Sequence, residues 1–178
     1  RLFEFIRTKE ELNPVLSGYF CKLVSLLISR KQKQLIPFIF APESDIIDHL
    51  VYHTGQKSIS EILNKLLTQI DQDFLVEEIK AKQQVVVEKL INQLGPEMNE
   101  ENNLNASSII QDMFETKEYY NILCTKENIQ RIADFACAGM TESTKASKTT
   151  SLTVLNQIIS HHIEKKKKGP SQKERERE

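Results

Sequence analysis

Glycine and proline are scarce, five of each in 178 residues, about half their usual share. Few breakers mean few tight turns, which excludes a sandwich or barrel of many short strands. Tryptophan is absent. No apolar run approaches the roughly 18–20 residues that a membrane-spanning helix needs; the longest, Leu23 to Ile28, is broken by Ser25. No secretory leader pattern is visible. The chain opens on Arg1 without an initiator Met, which reads as a fragment or a processed piece. The three cysteines (Cys21, Cys124 and Cys137) are odd in number, widely spaced and without a C-x-x-C. Each lies in apolar helical text, so buried thiols in a reducing compartment are expected.

What is present is a chain of 39% hydrophobic and 28% charged residues, enough for one globular domain with a real core. The net charge of −1 hides a split. Residues 165–178 carry seven basic groups, Lys165 to Lys168 among them, against three acidic ones. That tail is +4 and residues 1–164 are −5. The expected organisation is therefore a folded domain over 1–164 and a charged, disordered tail over 165–178. An acidic body excludes a nucleic-acid surface, which needs clustered basic residues. Lys165 to Lys168 suit a helix C-terminus, and a nuclear localisation signal stays open there.

Catalytic and metal chemistry is sought without success. With five scattered glycines, no G-x-x-x-x-G-K-[ST], G-x-G-x-x-G or G-x-S-x-G can be assembled. His49 and His53 are spaced i, i+4 and could face one ion, but a zinc site needs further ligands and only Asp45 and Asp48 lie near. Surface histidines are the expectation. His161 and His162 are adjacent and point to different helix faces. Asp71-Gln72-Asp73 has the opening of a calcium loop without its glycine and closing Glu. No catalytic, metal-binding or cofactor-binding residue is assigned, and no enzyme activity or cofactor is expected.

Apolar residues recur at helical spacing throughout. Asn13-Pro14, Ser44, Ser58-Ile59-Ser60-Glu61 and Thr125 supply start signals, the third as a capping box. Gly55, Gly95 and Gly139 follow apolar stretches as stop signals, where a left-handed residue would close the helix. Gly18 falls within a helix and suggests close approach of a neighbour. Pro96 to Asn105 reads as an acidic, Asn-rich connection, and Thr141 to Thr150 as a flexible Ser/Thr-rich loop open to phosphorylation.

One pattern repeats: apolar residues at i, i+1, i+4 and i+5, which fill a helix stripe. It occurs at Tyr19, Phe20, Leu23, Val24; at Ile62, Leu63, Leu66, Leu67; at Ile109, Ile110, Met113, Phe114; and at Val154, Leu155, Ile158, Ile159. A second series interleaves: Ile46, Ile47, Leu50, Val51; Val86, Val87, Leu90, Ile91; Ile132, Ala133, Ala136, Cys137. A shorter element precedes each of these: Leu35, Ile36, Phe38, Ile39; Phe74, Leu75, Ile79; Tyr119, Tyr120, Ile122, Leu123. The expected fold is all-α, an armadillo/HEAT-like helical-repeat solenoid of about three to four units of 40–47 residues, with two or three helices each. An ordinary helical bundle would also carry such stripes.

The segment Leu12-Asn13-Pro14-Val15-Leu16-Ser17-Gly18-Tyr19-Phe20-Cys21-Lys22, continuing through Leu26 to Lys31, resembles the SAPS-domain family of regulatory subunits associated with Sit4-type, protein phosphatase 6-like Ser/Thr phosphatases. Ser58 to Leu67 and Asn105-Ala106-Ser107 extend the resemblance, which covers roughly residues 2–160 and makes the chain an internal fragment of such a domain. Residues 70–104 and 141–150 depart from the family pattern. The resemblance implies a non-catalytic scaffold that holds the phosphatase catalytic subunit and presents substrates, with ankyrin-repeat or other scaffold proteins as further partners. It places the chain in the cytoplasm, with the nucleus open as well. In armadillo-type stacks the last helix of each unit lines the concave side. Its polar residues here are Lys22 and Ser25; Glu61, Asn64, Lys65 and Thr68; Gln111 and Asp112; Asn156 and Gln157. Arg30 and Lys31 join them from the resemblance. An unrelated armadillo/HEAT-type adaptor in trafficking or the cytoskeleton would share every periodic feature. A metal-dependent hydrolase using His49 and His53 is the third reading.

Overall fold

The computed structural model describes residues 1–70, 77–139 and 141–168. Within them a 3-10 turn, Leu2–Ile6, leads into eight helices: α1 Pro14–Phe40, α2 Ile46–Tyr52, α3 Lys57–Thr68, α4 Glu77–Asn92, α5 Glu100–Met113, α6 Lys117–Leu123, α7 Lys126–Cys137 and α8 Lys145–Lys168. No strand occurs among the described residues. Asp71-Gln72-Asp73, Phe74, Leu75 and residues 169–178 lie outside them.

Several starts form as the sequence suggests. Asn13 Oδ1 accepts from the amides of Val15 and Leu16 at 3.0 and 3.1 Å, with Pro14 at the first helical position. Thr125 Oγ1 accepts from Asn128 N at 3.4 Å. The capping box at Ser58 does not form. The residue before α3 is Gln56, so Ser58 already lies inside the first turn, and the Gln56 side chain donates instead to Leu12 O at 3.0 Å. In α1, Lys31 leaves helical geometry (φ −134°, ψ 29°) and separates a long limb from a short one. The short limb carries Leu35, Ile36 and Ile39, all buried, and is the first of the short elements.

Two presumed connections are helical. Only the stretch from Gln93 to Asn99 separates α4 from α5; Glu100 to Asn105 form the opening turns of α5. Of Thr141 to Thr150, Thr141 caps a 3-10 turn at Glu142–Thr144 and α8 takes the rest from Lys145 onward. Hydroxyls there bond back to the preceding turn: Thr149 Oγ1 to Lys145 O at 2.9 Å and Thr150 Oγ1 to Ala146 O at 2.8 Å. Ser147, Thr150 and Ser151 are buried, where small side chains let α8 lie close to its neighbours. The glycine reading also changes: none of Gly18, Gly55, Gly95 and Gly139 is left-handed. Gly18 faces open space, whereas a Cβ on Gly55 would stand 2.6 Å from Asn102 Oδ1. Gly55 is there for close packing against α5.

The helices form two layers. α1, α3, α5 and α8 pack in that order in one layer, and α2, α4 and α7 in the other, with α3, α5 and α8 each resting on its preceding partner. These two layers are the two quartet series. The apolar quartets of α3 and α5 are buried in full, as are those of α2 and α4. The end helices differ. On α1, Phe20 and Val24 are buried but Tyr19 and Leu23 are 60% and 52% exposed. On α8, Val154 and Ile158 are buried, Leu155 is half-buried and Ile159 is 56% exposed. On α7, Ile132 and Ala136 are buried while Cys137 is exposed. One continuous core runs from Ile6 to Ile158, as stacked repeats require.

Candidate functional site

The layer α1, α3, α5, α8 sets its polar side chains in a row. Lys65 Nζ donates to Ser25 Oγ at 2.9 Å, joining α3 to α1. Asn64 Nδ2 donates to Asp112 Oδ2 at 2.7 Å, joining α3 to α5. Gln157 Nε2 donates to Gln111 O at 3.2 Å, joining α8 to α5. The sequence separations of these bonds are 40, 48 and 46 residues, so they follow the repeat itself. Six of the twelve candidate residues thus form a seam crossing every helix of the layer. Glu61 borders it, accepting from the Cys21 thiol at 3.9 Å.

The other five stand apart. Thr68 turns inward along its own helix, its hydroxyl donating to Asn64 O at 2.8 Å. Lys22 is exposed, with its ammonium 5.9 Å from the centre of the Tyr19 ring. Asn156 is exposed on α8, and Arg30 and Lys31 are exposed at the α1 kink.

Burial lifts the Cys21 thiol pKa; the charge and hydrogen bond of Glu61 add to this, and the opposing effects of Ser25 and Lys65 do not cancel it. The expectation of three buried thiols holds for Cys21 alone. Cys124 is half-buried and Cys137 exposed, and no disulfide joins them. Cys137 is the final residue of α7, where the helix ends at the surface.

The histidines serve packing. His53 is buried, and its Nε2 lies 3.1 Å from Ile6 O and 2.9 Å from Thr8 O. Two acceptors require an N–H on that nitrogen, so His53 latches the Leu2–Ile6 turn onto α2 instead of standing on the surface. His49 pairs with Asp45 at 3.3 Å. No group of three potential metal ligands occurs among the described residues. The His161 ring lies tilted against that of Tyr120, with 4.7 Å between ring centres.

Sequence reasoning missed the asparagine clamp of α5. Asn103 Nδ2 donates to Gln93 O at 2.8 Å and Gly95 O at 3.1 Å, and Asn105 Nδ2 to Thr54 O at 2.9 Å and Gly55 O at 3.1 Å. These amides satisfy carbonyls left over at the ends of α4 and α2. The signal was the Asn-Asn-Leu-Asn run, which composition alone reads as loop. No described helix is long and apolar enough to cross a membrane.

A two-layer stack of repeating helices around one continuous core defines an all-α helical-repeat protein. The chain belongs to the SAPS family, described as SIT4 phosphatase-associated protein, whose model matches residues 24–176. That match begins just past Leu12–Lys22, the first segment of the resemblance. Among curated proteins, the chain is 32% identical over 115 residues to serine/threonine-protein phosphatase 6 regulatory subunit 1 of Homo sapiens, covering 64% of this chain and 13% of that protein. It is 30% identical over 109 residues to regulatory subunit 3-B of Xenopus laevis, covering 60% and 13%. It is 25% identical over 114 residues to the human regulatory subunit 2, covering 63% and 12%. The chain therefore spans only about an eighth of the length of these relatives. No solved structure matches it.

Proposed function

We propose that this chain is a non-catalytic part of a regulatory subunit for a Sit4/protein phosphatase 6-type Ser/Thr phosphatase. It holds the catalytic subunit against the α1–α3–α5–α8 layer and raises the effective concentration of substrates brought to the same scaffold. Membership of the SAPS family, with relatives named as phosphatase 6 regulatory subunits, carries this reading. The polar seam supports it by offering fixed donors and acceptors on a surface of rigid helices. The resemblance extends the proposal to ankyrin-repeat or other scaffold proteins as additional partners and to the cytoplasm as the site of action, with entry to the nucleus through the lysine run.

The test is retention of a purified phosphatase 6-type catalytic subunit on the immobilised chain. The wild type is expected to retain it. A variant with Lys65→Glu and Asp112→Lys, melting like the wild type, is expected to lose it. Wild-type retention unaltered by both changes would remove the seam from the interface. Failure of the wild type to retain the subunit would sink the assignment for this segment.

A further inference from the structure

The latch at the end of α2 leaves one acceptor over. His53 is buried, with 7% of its surface exposed. Its Nε2 carries a proton that Ile6 O and Thr8 O share. In the neutral ring Nδ1 then holds a bare lone pair, and among the described residues Nδ1 has no partner. His53 lines a cleft of about 900 Å³. The cleft lies between residues 9–12, the α2–α3 connection and the α4–α5 connection with the first turn of α5.

The walls of this cleft are tied together. Gln56 Nε2 donates to Leu12 O at 3.0 Å, and the bare backbone of Gly55 lets Asn102 and Asn99 come close. Tyr52 Oη donates to Lys9 O at 3.2 Å, which holds a ring that is 53% exposed. The Tyr52 and His53 rings meet at 90°, with 4.9 Å between centres. Glu10, Glu11, Glu97 and Glu101 line the same cleft. All four are exposed, and none is in an ion pair with a described residue. Lys9 and Lys57 line the cleft too, so carboxylates outnumber ammonium groups there by four to two.

An unused acceptor, an accessible ring and unpaired carboxylates call for a flat cation rich in donors. The arginine guanidinium is planar, carries five N–H donors and no acceptor, and stacks on aromatic rings. We propose that this cleft binds an arginine side chain from a basic peptide segment of a partner protein. The guanidinium lies against the Tyr52 ring and donates to His53 Nδ1. Glu97 and Glu101 on one wall neutralise it, and Glu10 and Glu11 on the other receive the flanking basic residues. A lysine would keep the charge contacts and lose the planar fit. None of the bonded seam residues lines the cleft. The site therefore stands apart from the α1–α3–α5–α8 layer and does not rest on the phosphatase reading.

Fluorescence anisotropy with the chain and a short fluorescein-labelled peptide of alternating arginine and glycine tests this. Circular dichroism melting confirms that each variant folds. The wild type is expected to bind saturably, and the lysine version of the peptide more weakly. Tyr52→Phe keeps the ring and should bind as the wild type does, whereas Tyr52→Ala should weaken binding about two- to fivefold. Glu97→Gln with Glu101→Gln should weaken it about three- to tenfold. Glu127→Gln with Glu164→Gln makes the same change of net charge at exposed sites outside the cleft, and should leave binding unchanged. The nitrogen resonance of His53 Nδ1 is expected to shift at saturation, which reports on the acceptor without disturbing the latch. A wild type that shows no saturable binding would overturn the proposal. Equal weakening by the two carboxylate pairs would overturn it in favour of a diffuse charge effect. Full binding by Tyr52→Ala with an unshifted His53 would overturn it by placing the peptide elsewhere.

Discussion

Cys21 and Cys137 hold equivalent chemistry in opposite surroundings. Desolvation and Glu61 raise the pKa of Cys21, whereas Cys137 is exposed. Because the thiolate is the nucleophile, a thiol reagent is expected to label Cys137 at once and Cys21 only on unfolding; mass spectrometry of a timed reaction checks this. Raised folded values also set a pH dependence. The stability owed to a raised group is complete below its unfolded pKa and is lost as pH rises through the folded one. Tyr120, raised by burial and by its hydrogen bond to Cys124, adds to Cys21 on the alkaline side. Asp45 acts at the other end. Partial desolvation pushes its pKa up, but the hydrogen bond and charge of Arg7, 2.9 Å away, outweigh it and hold it below the ordinary value. Its contribution is present above the unfolded pKa and is lost as pH falls through the folded one. The melting difference between the wild type and Arg7→Ala should therefore shrink in acid, as thermal melts across pH would record.

At the scale of the element, α5 and α8 depend on polar side chains inside their helices. Asn103→Ala removes two hydrogen bonds to buried carbonyls and is expected to cost about 1–3 kcal/mol in chemical denaturation. Ser143→Glu, on the exposed 3-10 turn, should change stability by less than about 0.5 kcal/mol. Ser147→Glu should cost several kcal/mol, because it buries a charge where the serine hydroxyl now donates to Leu94 O. A phosphoryl group on the folded protein is thus accommodated at Ser143 and rejected at Ser147. The same residues mark what the sequence conceals. Asn13 and Thr125 are legible as caps because a cap is a local bond with a fixed spacing. The quartets are legible because burial follows the helical period. Asn102 to Asn105 and Ser147 to Thr150 look like loop because their local preference is for turns. Only tertiary carbonyls and close helix packing, more than 40 residues away for Asn105 and Ser147, make them helix. The seam was legible as a set of polar positions, but not as bonds, since nothing local pairs Asn64 with Asp112.

Over the whole molecule, a stack with one continuous core concentrates its stability in the middle. Leu66→Ala, at a fully buried site in α3, is expected to cost about 2–5 kcal/mol. Leu23→Ala, at the equivalent position of the α1 quartet but with an exposed side chain, is expected to cost less than about 0.5 kcal/mol. Urea titration of the pair measures the contrast, and equal losses would mean that Leu23 is buried in solution. The seam finally has a length. It crosses three interhelical steps of about 8–10 Å each, so it reaches about 25–30 Å from Ser25 to Gln157. An extended polypeptide covers that distance in about eight residues, at 3.3–3.6 Å per residue. The surface is a ruler as well as a patch: a bound strand shorter than that engages two or three helices, and only a longer one, or a folded face of the same width, bridges α1 to α8.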